Sequence, residues 1–286
     1  MNETALDMAA LRQWIGRTEA VTDLVTPRLA REAHATLDHE GAPPAPGEPA
    51  PLAIHWCLAP PAAPSAALGE DGHPRRGGFL PPVPLPRRMW AGSALRFMDR
   101  LRVGNEVERR SRIADVTAKE GRSGLLCFVT VEHEIHTPRG LAITERQDIV
   151  YRPAPPPGPP PAARPVPLPP VAPGVIAHRE RQATPPLLFR YSALTFNGHR
   201  IHYDWPYVTG VEGYPGLIVH GPLQATLLLE FAAACRGAPP RAFSFRGLNP
   251  LFDFMPFRLC AEDAAEGLAL RVETGAARTM EATAQW

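Results

Sequence analysis

Lysine is all but missing from this 286-residue chain: Lys119 is the only one among thirty basic residues, and arginine supplies the rest. No partner follows from that habit. Neither sign of charge is in excess, and a formal net charge of +1 excludes the electrostatic footprint of a nucleic-acid binder or of a protein drawn to an anionic membrane. Cysteine is scarce too. Cys57, Cys127, Cys235 and Cys260 are widely separated and form no C-x-x-C pair, which excludes a disulfide framework and points to buried free thiols in a reducing compartment. No apolar run is long enough to span a bilayer. The opening MNETALDMAALRQWIG lacks the unbroken apolar core and cleavage site of a signal peptide, so cytoplasmic residence is the default expectation.

What the chain has in quantity is proline, 36 residues of it, and the run from Pro153 to Pro173 can be neither helix nor central strand. It reads as a polyproline linker. The division it implies is an amino-terminal domain over 1–152, a linker over 153–176 and a carboxy-terminal domain over 177–286. A hydrophobic content of 44% with 21% charged residues describes a soluble globular protein in which each half can bury a core. Smaller Pro/Gly/Ala patches, Gly41 to Pro51 and Pro60 to Ala67, read as surface loops.

Thr26-Pro27 through His39 predicts a helix with its N-cap and first-turn proline. Gly216 to Cys235 predicts a second, apolar nearly all round and therefore buried. Strands are expected over Glu106–Val116, Leu125–His136, Ala142–Tyr151 and Leu268–Glu273, with Val129, Val131, His133 and Ile135 on one face of the second. Ala94–Leu101 (ALRFMDRL) echoes Ser244–Leu251 (SFRGLNPL) in one register, which supports duplication of a single fold.

Candidate chemistry concentrates between Arg190 and Glu230, where LTFNGHRIHYD is followed by GLIVHGPL and an apolar helix. His199 and His202 lie three apart in a polar turn, and His220-Gly221 opens a helix whose first N–H groups have no intrahelical partner. Together they offer an acid/base group beside an anion-stabilising helix end. A lone histidine in a turn is ordinarily structural; the surrounding pattern is what assigns chemistry to His202. His220 reads more readily as a pin for the turn. The His199-x-x-His202 pair finds no further ligand at metal spacing, so no metal is expected. Trp90 and Trp205 read as packing residues.

These two elements resemble the hydratase motif of the MaoC-like, R-specific enoyl-CoA hydratases, approximately S-G-D-x-N-P-x-H followed by P-x-x-H-G-x-L. The resemblance implies that His202 is the catalytic histidine, that Gly221 supplies the oxyanion N–H, and that His199 fills the family's Asn position. Asn197 stands where the family carries Asp. A neutral amide orients water but cannot take its proton, which leaves more of the acid/base work to His202. Gly72–Ser93, Arg102–Ile113 and Ile143–Pro153 resemble the amino-terminal half of two-hot-dog acyl-CoA hydratases, in particular those acting on branched five-carbon dicarboxylyl-CoA esters.

The resemblance therefore implies an α+β double hot-dog, two antiparallel sheets each wrapping a central helix. The implied enzyme adds water to itaconyl-CoA or 3-methylfumaryl-CoA to give citramalyl-CoA, with acyl-CoA as substrate and no cofactor. A free carboxylate calls for a cation, and Arg200, Arg87 and Arg88 are the candidates, with His199 and His220 also lining the substrate. The pairs Arg75-Arg76 and Arg87-Arg88 also fit solvated surface charge or CoA phosphate binding. A linear-chain 3-hydroxyacyl dehydratase, an acyl-CoA thioesterase and an inactive acyl-CoA-binding module stay open, as does a homodimer.

Overall fold

The computed structural model describes residues 6–121, 124–154 and 164–286. Residues 155–163, nine of the twenty-one in the expected polyproline run, lie outside the described residues, as do the first five. After a short α1 (Met8–Arg12), the chain forms β1 (Thr18–Leu24) and α2 (Pro27–Thr36), then β2 (Arg87–Phe97), β3 (Glu106–Gly121), β4 (Gly124–Thr137) and β5 (Gly140–Arg152). The carboxy-terminal half repeats the plan with β6 (Val175–Gln182), α3 (Pro185–Leu194), α4 (Trp205–Gly210), α5 (Gly221–Arg236), β7 (Ala242–Gly247), β8 (Pro256–Ala264), β9 (Gly267–Thr274) and β10 (Arg278–Gln285).

Among the described residues the strands form one sheet in the order β1-β3-β4-β5-β2-β7-β10-β9-β8-β6. The order reads the same from either edge once β1 to β5 are matched with β6 to β10, the signature of two copies joined about a pseudo-twofold axis. The join is the antiparallel pairing of β2 with β7, and it sets Ala94 directly opposite Ser244. The two octapeptides that echo one another in sequence thus begin at cross-strand partners. A second echo lies in the helices: Thr26 Oγ1 accepts from Leu29 N–H (3.0 Å) and Thr184 Oγ1 from Leu187 N–H (3.4 Å), each with proline at the helix start.

The four expected strands are present, each slightly longer than expected, and Val129, Val131 and Ile135 are buried on one face of β4 as the alternation required. α2 ends at Thr36, short of His39. α5 starts at Gly221 rather than Gly216, because Pro222 has no N–H to give to a carbonyl four residues earlier and so fits only the first turn of a helix. The chain bends at Gly216 and is not helical over 217–219: Ile218 N–H donates to Ile201 C=O (2.9 Å) and Val219 N–H to Leu251 C=O (2.8 Å). The helix stops at Gly237 in the left-handed region (φ 68°).

The fold is the expected α+β double hot-dog, with two refinements. The two sheets are edge-joined into one, and among the described residues a long central helix occurs once. α5 buries Leu223, Ala225, Leu228, Leu229 and Ala232 against the sheet. The corresponding stretch of the amino-terminal half, between α2 and β2, is proline-interrupted and holds only 3-10 turns at Ile54–Cys57 and Ser65–Ala67. Ile54 and Leu58 there join the same core as α5.

β6 begins at Val175, two residues before the expected domain start, and Pro169 C=O accepts from Arg258 (2.9 Å), so the described end of the linker lies along the carboxy-terminal half. Among the described residues no helix is long and apolar enough to cross a membrane. All four cysteines are free thiols, and burial pushes Cys57 and Cys260 up to about 12, which leaves them protonated and unreactive.

Candidate active site

α3 ends at Leu194, and Phe196 turns the chain through the left-handed region (φ 47°). Asn197 then closes the corner: its N–H donates to Ser192 C=O (2.8 Å) and its Oδ1 accepts from His199 N–H (3.0 Å). The following 3-10 turn, Arg200–His202, carries His202 inward until it is only 6% exposed. His202 Nδ1 lies 2.7 Å from Ile218 C=O. A carbonyl only accepts, so Nδ1 carries the proton and Nε2 is left with a lone pair. Burial pushes His202 down to about 4, so the ring is a neutral base at neutral pH.

The His220 ring lies on His202, with centres 3.6 Å apart at 18°. His220 Nε2 meets Ser192 Oγ at 2.8 Å, and burial holds the ring well below the ordinary histidine range. Its side chain does not cap α5, which leaves the Gly221 end of the helix open. The space above Gly221 is free as well: an added Cβ would come no nearer than 3.9 Å to Trp90 C=O. A base and an anion-stabilising helix terminus thus stand next to one another, as the motif implied.

The three candidate arginines separate. Arg200 is paired with Asp204 (2.8 Å), donates to Glu70 C=O (3.0 Å) and covers the Tyr207 ring at 4.0 Å. Arg87 is paired with Glu212 (2.9 Å) and covers Tyr214 at 5.0 Å. Arg88, its neighbour on β2, sits close enough to depress the pKa values of His73, His199 and Asp71, and no ion pair engages it among the described residues. Asp204 is no stand-in for the missing motif carboxylate, since it caps α4 through Tyr207 N–H (3.1 Å) and holds Arg200.

The sequence reading missed two residues. Asp71 and His73, from the loop before β2, come to His199: Asp71 Oδ2 is 3.0 Å from His73 Nδ1, and the His73 and His199 rings are 4.1 Å apart. Asp71, His73 and His199 each offer a ligand atom, all within 4.8 Å of one another. The expectation that nothing completes a metal set around His199 is therefore corrected; the fold draws the missing ligands from the other half of the chain. The Asp71–His73 hydrogen bond and the charge of Arg88 oppose a cation there. Burial pushes His199 far down, helped by His73 and His202.

A second concavity, of about 370 Å³, lies at the other end of α5, among His34, His39, Arg100 and Glu230. Glu230 accepts from Leu52 N–H (3.0 Å), and burial pushes it up to about 7. Nine residues beyond Gly221, it stands about 14 Å down the helix axis from the His202 site. Trp90 is a packing residue as expected, edge-on to Trp56 at 5.2 Å, with its Nε1–H donating to Ser93 Oγ (2.9 Å). Trp205 is half exposed.

Residues 53–253, most of the chain, match the family described as hydroxyacyl-thioester dehydratase type 2. The chain belongs to this family. As a type 2 dehydratase family member it is a hydro-lyase of the enoyl-thioester hydratase type. It is 48% identical over 266 residues to a mesaconyl-C(4)-CoA hydratase of Chloroflexus aurantiacus, covering 91% of each chain. In structure it is similar to a MaoC-like dehydratase (TM-score 0.72, 14% identity, covering 97% of this chain and 100% of that one). It is also similar to a double-hotdog protein of Mycobacterium tuberculosis (TM-score 0.57, 16% identity, covering 95% and 96%). Identities that low speak for the shared fold alone.

Proposed function

We propose that this family member hydrates a branched dicarboxylyl-CoA, 3-methylfumaryl-CoA in the first place, to citramalyl-CoA. The observation that carries the reading is the pairing of the lone-pair Nε2 of His202 with the open Gly221 terminus of α5. In the reaction the thioester oxygen accepts from Gly221 N–H. Electron density leaves the conjugated double bond for an enolate, which the helix end stabilises. Water held at His202 Nε2 adds to the β-carbon, its proton passes to Nε2, and a proton returns from there to the α-carbon. Both transfers fall within the range of imidazole, so the chemistry needs no cofactor.

Substrate choice rests on two further points. The 48% identical relative is named for mesaconyl-C(4)-CoA, the same compound as 3-methylfumaryl-CoA. The free carboxylate of that ester sits on the β-carbon, beside the water, and Arg88 is the arginine left without an acidic partner next to the histidines. Itaconyl-CoA yields the same product, but its double bond lies one carbon further from the thioester and is not conjugated with it. It is the second choice. Glu230, the only carboxylate on α5, is too far from Gly221 to serve a thioesterase at the same carbonyl.

The test is incubation of the purified protein with 3-methylfumaryl-CoA, itaconyl-CoA, citramalyl-CoA and crotonyl-CoA, with products resolved by mass. Gain of water by the dicarboxylyl ester and not by crotonyl-CoA is the expected result. Hydration of crotonyl-CoA alone establishes the linear-chain reading, free CoA without hydration a thioesterase, and no reaction a binding module.

A further inference from the structure

A water adding to the β-carbon has two O–H bonds, and its lone pair is aimed only if both are held. His202 Nε2 accepts one. Asn197 has at most one lone pair left for the other, because its Oδ1 already takes His199 N–H. We propose that His73, oriented by Asp71, is the second acceptor that holds the attacking water opposite His202; this rests on the hydration reading above.

Three observations support it. First, Asp71 fixes the imidazole: its Oδ1 accepts from His73 N–H (3.0 Å), and its Oδ2 stands 3.0 Å from Nδ1. The ionised carboxylate only accepts, so the His73 proton is on Nδ1 and Nε2 presents a lone pair. This is the same tautomer that Ile218 C=O imposes on His202. Among the described residues nothing fixes either ring nitrogen of His199 in this way.

Second, the loop is stitched to the site. Arg200 N–H donates to Asp71 C=O (2.9 Å), and Arg200 Nη1 to Glu70 C=O. Gly69 N–H closes the turn on His73 C=O (2.7 Å). Gly72 (φ 86°) lies so close to Gly198 that a Cβ would fall 2.0 Å from the Gly198 carbonyl oxygen. Two glycines meet here because nothing larger lets the two loops touch.

Third, the rings are contiguous: His73 is 4.1 Å from His199, which stands edge-on to His202 at 5.4 Å, and His73 is near enough to disfavour charge on His202. The charged groups around His73 are Asp71, Arg76 and Arg88. In the step itself the water O–Cβ bond forms and one O–H breaks, its proton going to His202 Nε2. The π pair moves toward the thioester and the α-carbon takes the proton back, while His73 stays neutral throughout.

The experiment has two arms. Imidazole nitrogen NMR on the wild-type protein should show His73 protonated on Nδ1 and bare on Nε2; the reverse tautomer overturns the proposal whatever the substrate. In the hydration assay D71N, whose amide would donate to Nδ1 and flip the tautomer, should lose ~10- to 100-fold in kcat with a small change in KM. H73F, which keeps a ring against His199, should lose as much and serves if D71N does not fold. Adding N197D to D71N should recover at least ~10-fold, since a carboxylate offers a second oxygen for the water. A kcat within about threefold of wild type in both single variants, or no recovery in the double variant, sinks the role of His73. A wild-type protein that hydrates none of the esters removes the hydration reading, and this role with it.

Discussion

The imidazoles of His202 and His220 lie face to face, 3.6 Å apart and 18° from parallel, each tied by one nitrogen to a fixed partner. Charge on one ring opposes charge on the other in a site that burial already makes hostile to cations. The consequence is a histidine base that stays neutral and aimed.

That fixes the expected pH dependence. The neutral form of His202 is the active one and its pKa is lowered to about 4, so kcat/KM should stay flat from neutrality downward and fall only as pH approaches about 4. An acid limb near the ordinary histidine value of about 6.5 would show that a different group is titrating.

The arginines should separate by function. Arg88→Gln should raise KM for 3-methylfumaryl-CoA at least ~10-fold, the scale of one lost charge-assisted bidentate contact, while binding of free CoA is unchanged. Arg200→Gln leaves Arg88 in place and should act on loop stability. Equal KM effects from the two variants on the ester would remove the distinction.

Glu230 links stability to pH. Its folded-state pKa, about 7, is raised above the ordinary 4.5, so the buried neutral form is favoured below about 4.5 and its advantage is lost as pH rises to about 7. Glu230→Gln should flatten that part of the stability curve, with denaturant midpoints at pH 5 and pH 7 as the readout. An undiminished decline would place its origin elsewhere.

The junction of the halves is tight at one glycine and open at another. A Cβ on Gly92 would lie 2.4 Å from Phe245 C=O, whereas on Gly247 the nearest atom is Ala91 C=O at 3.7 Å. Gly92→Ala should therefore cost ~1–3 kcal/mol and lower the Tm, and Gly247→Ala should be tolerated. Equal melting of the two variants contradicts the packing described for β2 and β7.

Much of this was legible in the chain. Thr26-Pro27 announced α2, alternating Val129, Val131 and Ile135 announced β4, and the spacing of His199, His202 and His220-Gly221 marked the candidate site. What was hidden depended on distance along the chain. Asp71 and His73 sit in a Gly-Glu-Asp-Gly-His-Pro stretch that reads as an ordinary polar turn, and the Gly72–Gly198 contact and the bonds from Arg200, made far along the chain, bring them to His199. Arg87 and Arg88 looked equivalent as a pair, yet successive strand residues face opposite ways, and one pairs with Glu212 while the other lies near the histidines. The second long helix failed to appear because proline after proline interrupts residues 43–86.

The central claim is that His202 is the base in a hydration reaction, and turnover of 3-methylfumaryl-CoA by His202→Ala tests it most directly. The substitution should lower kcat by at least ~100-fold while the protein still binds the CoA ester. Turnover close to wild type would contradict the account and move the chemistry away from this histidine.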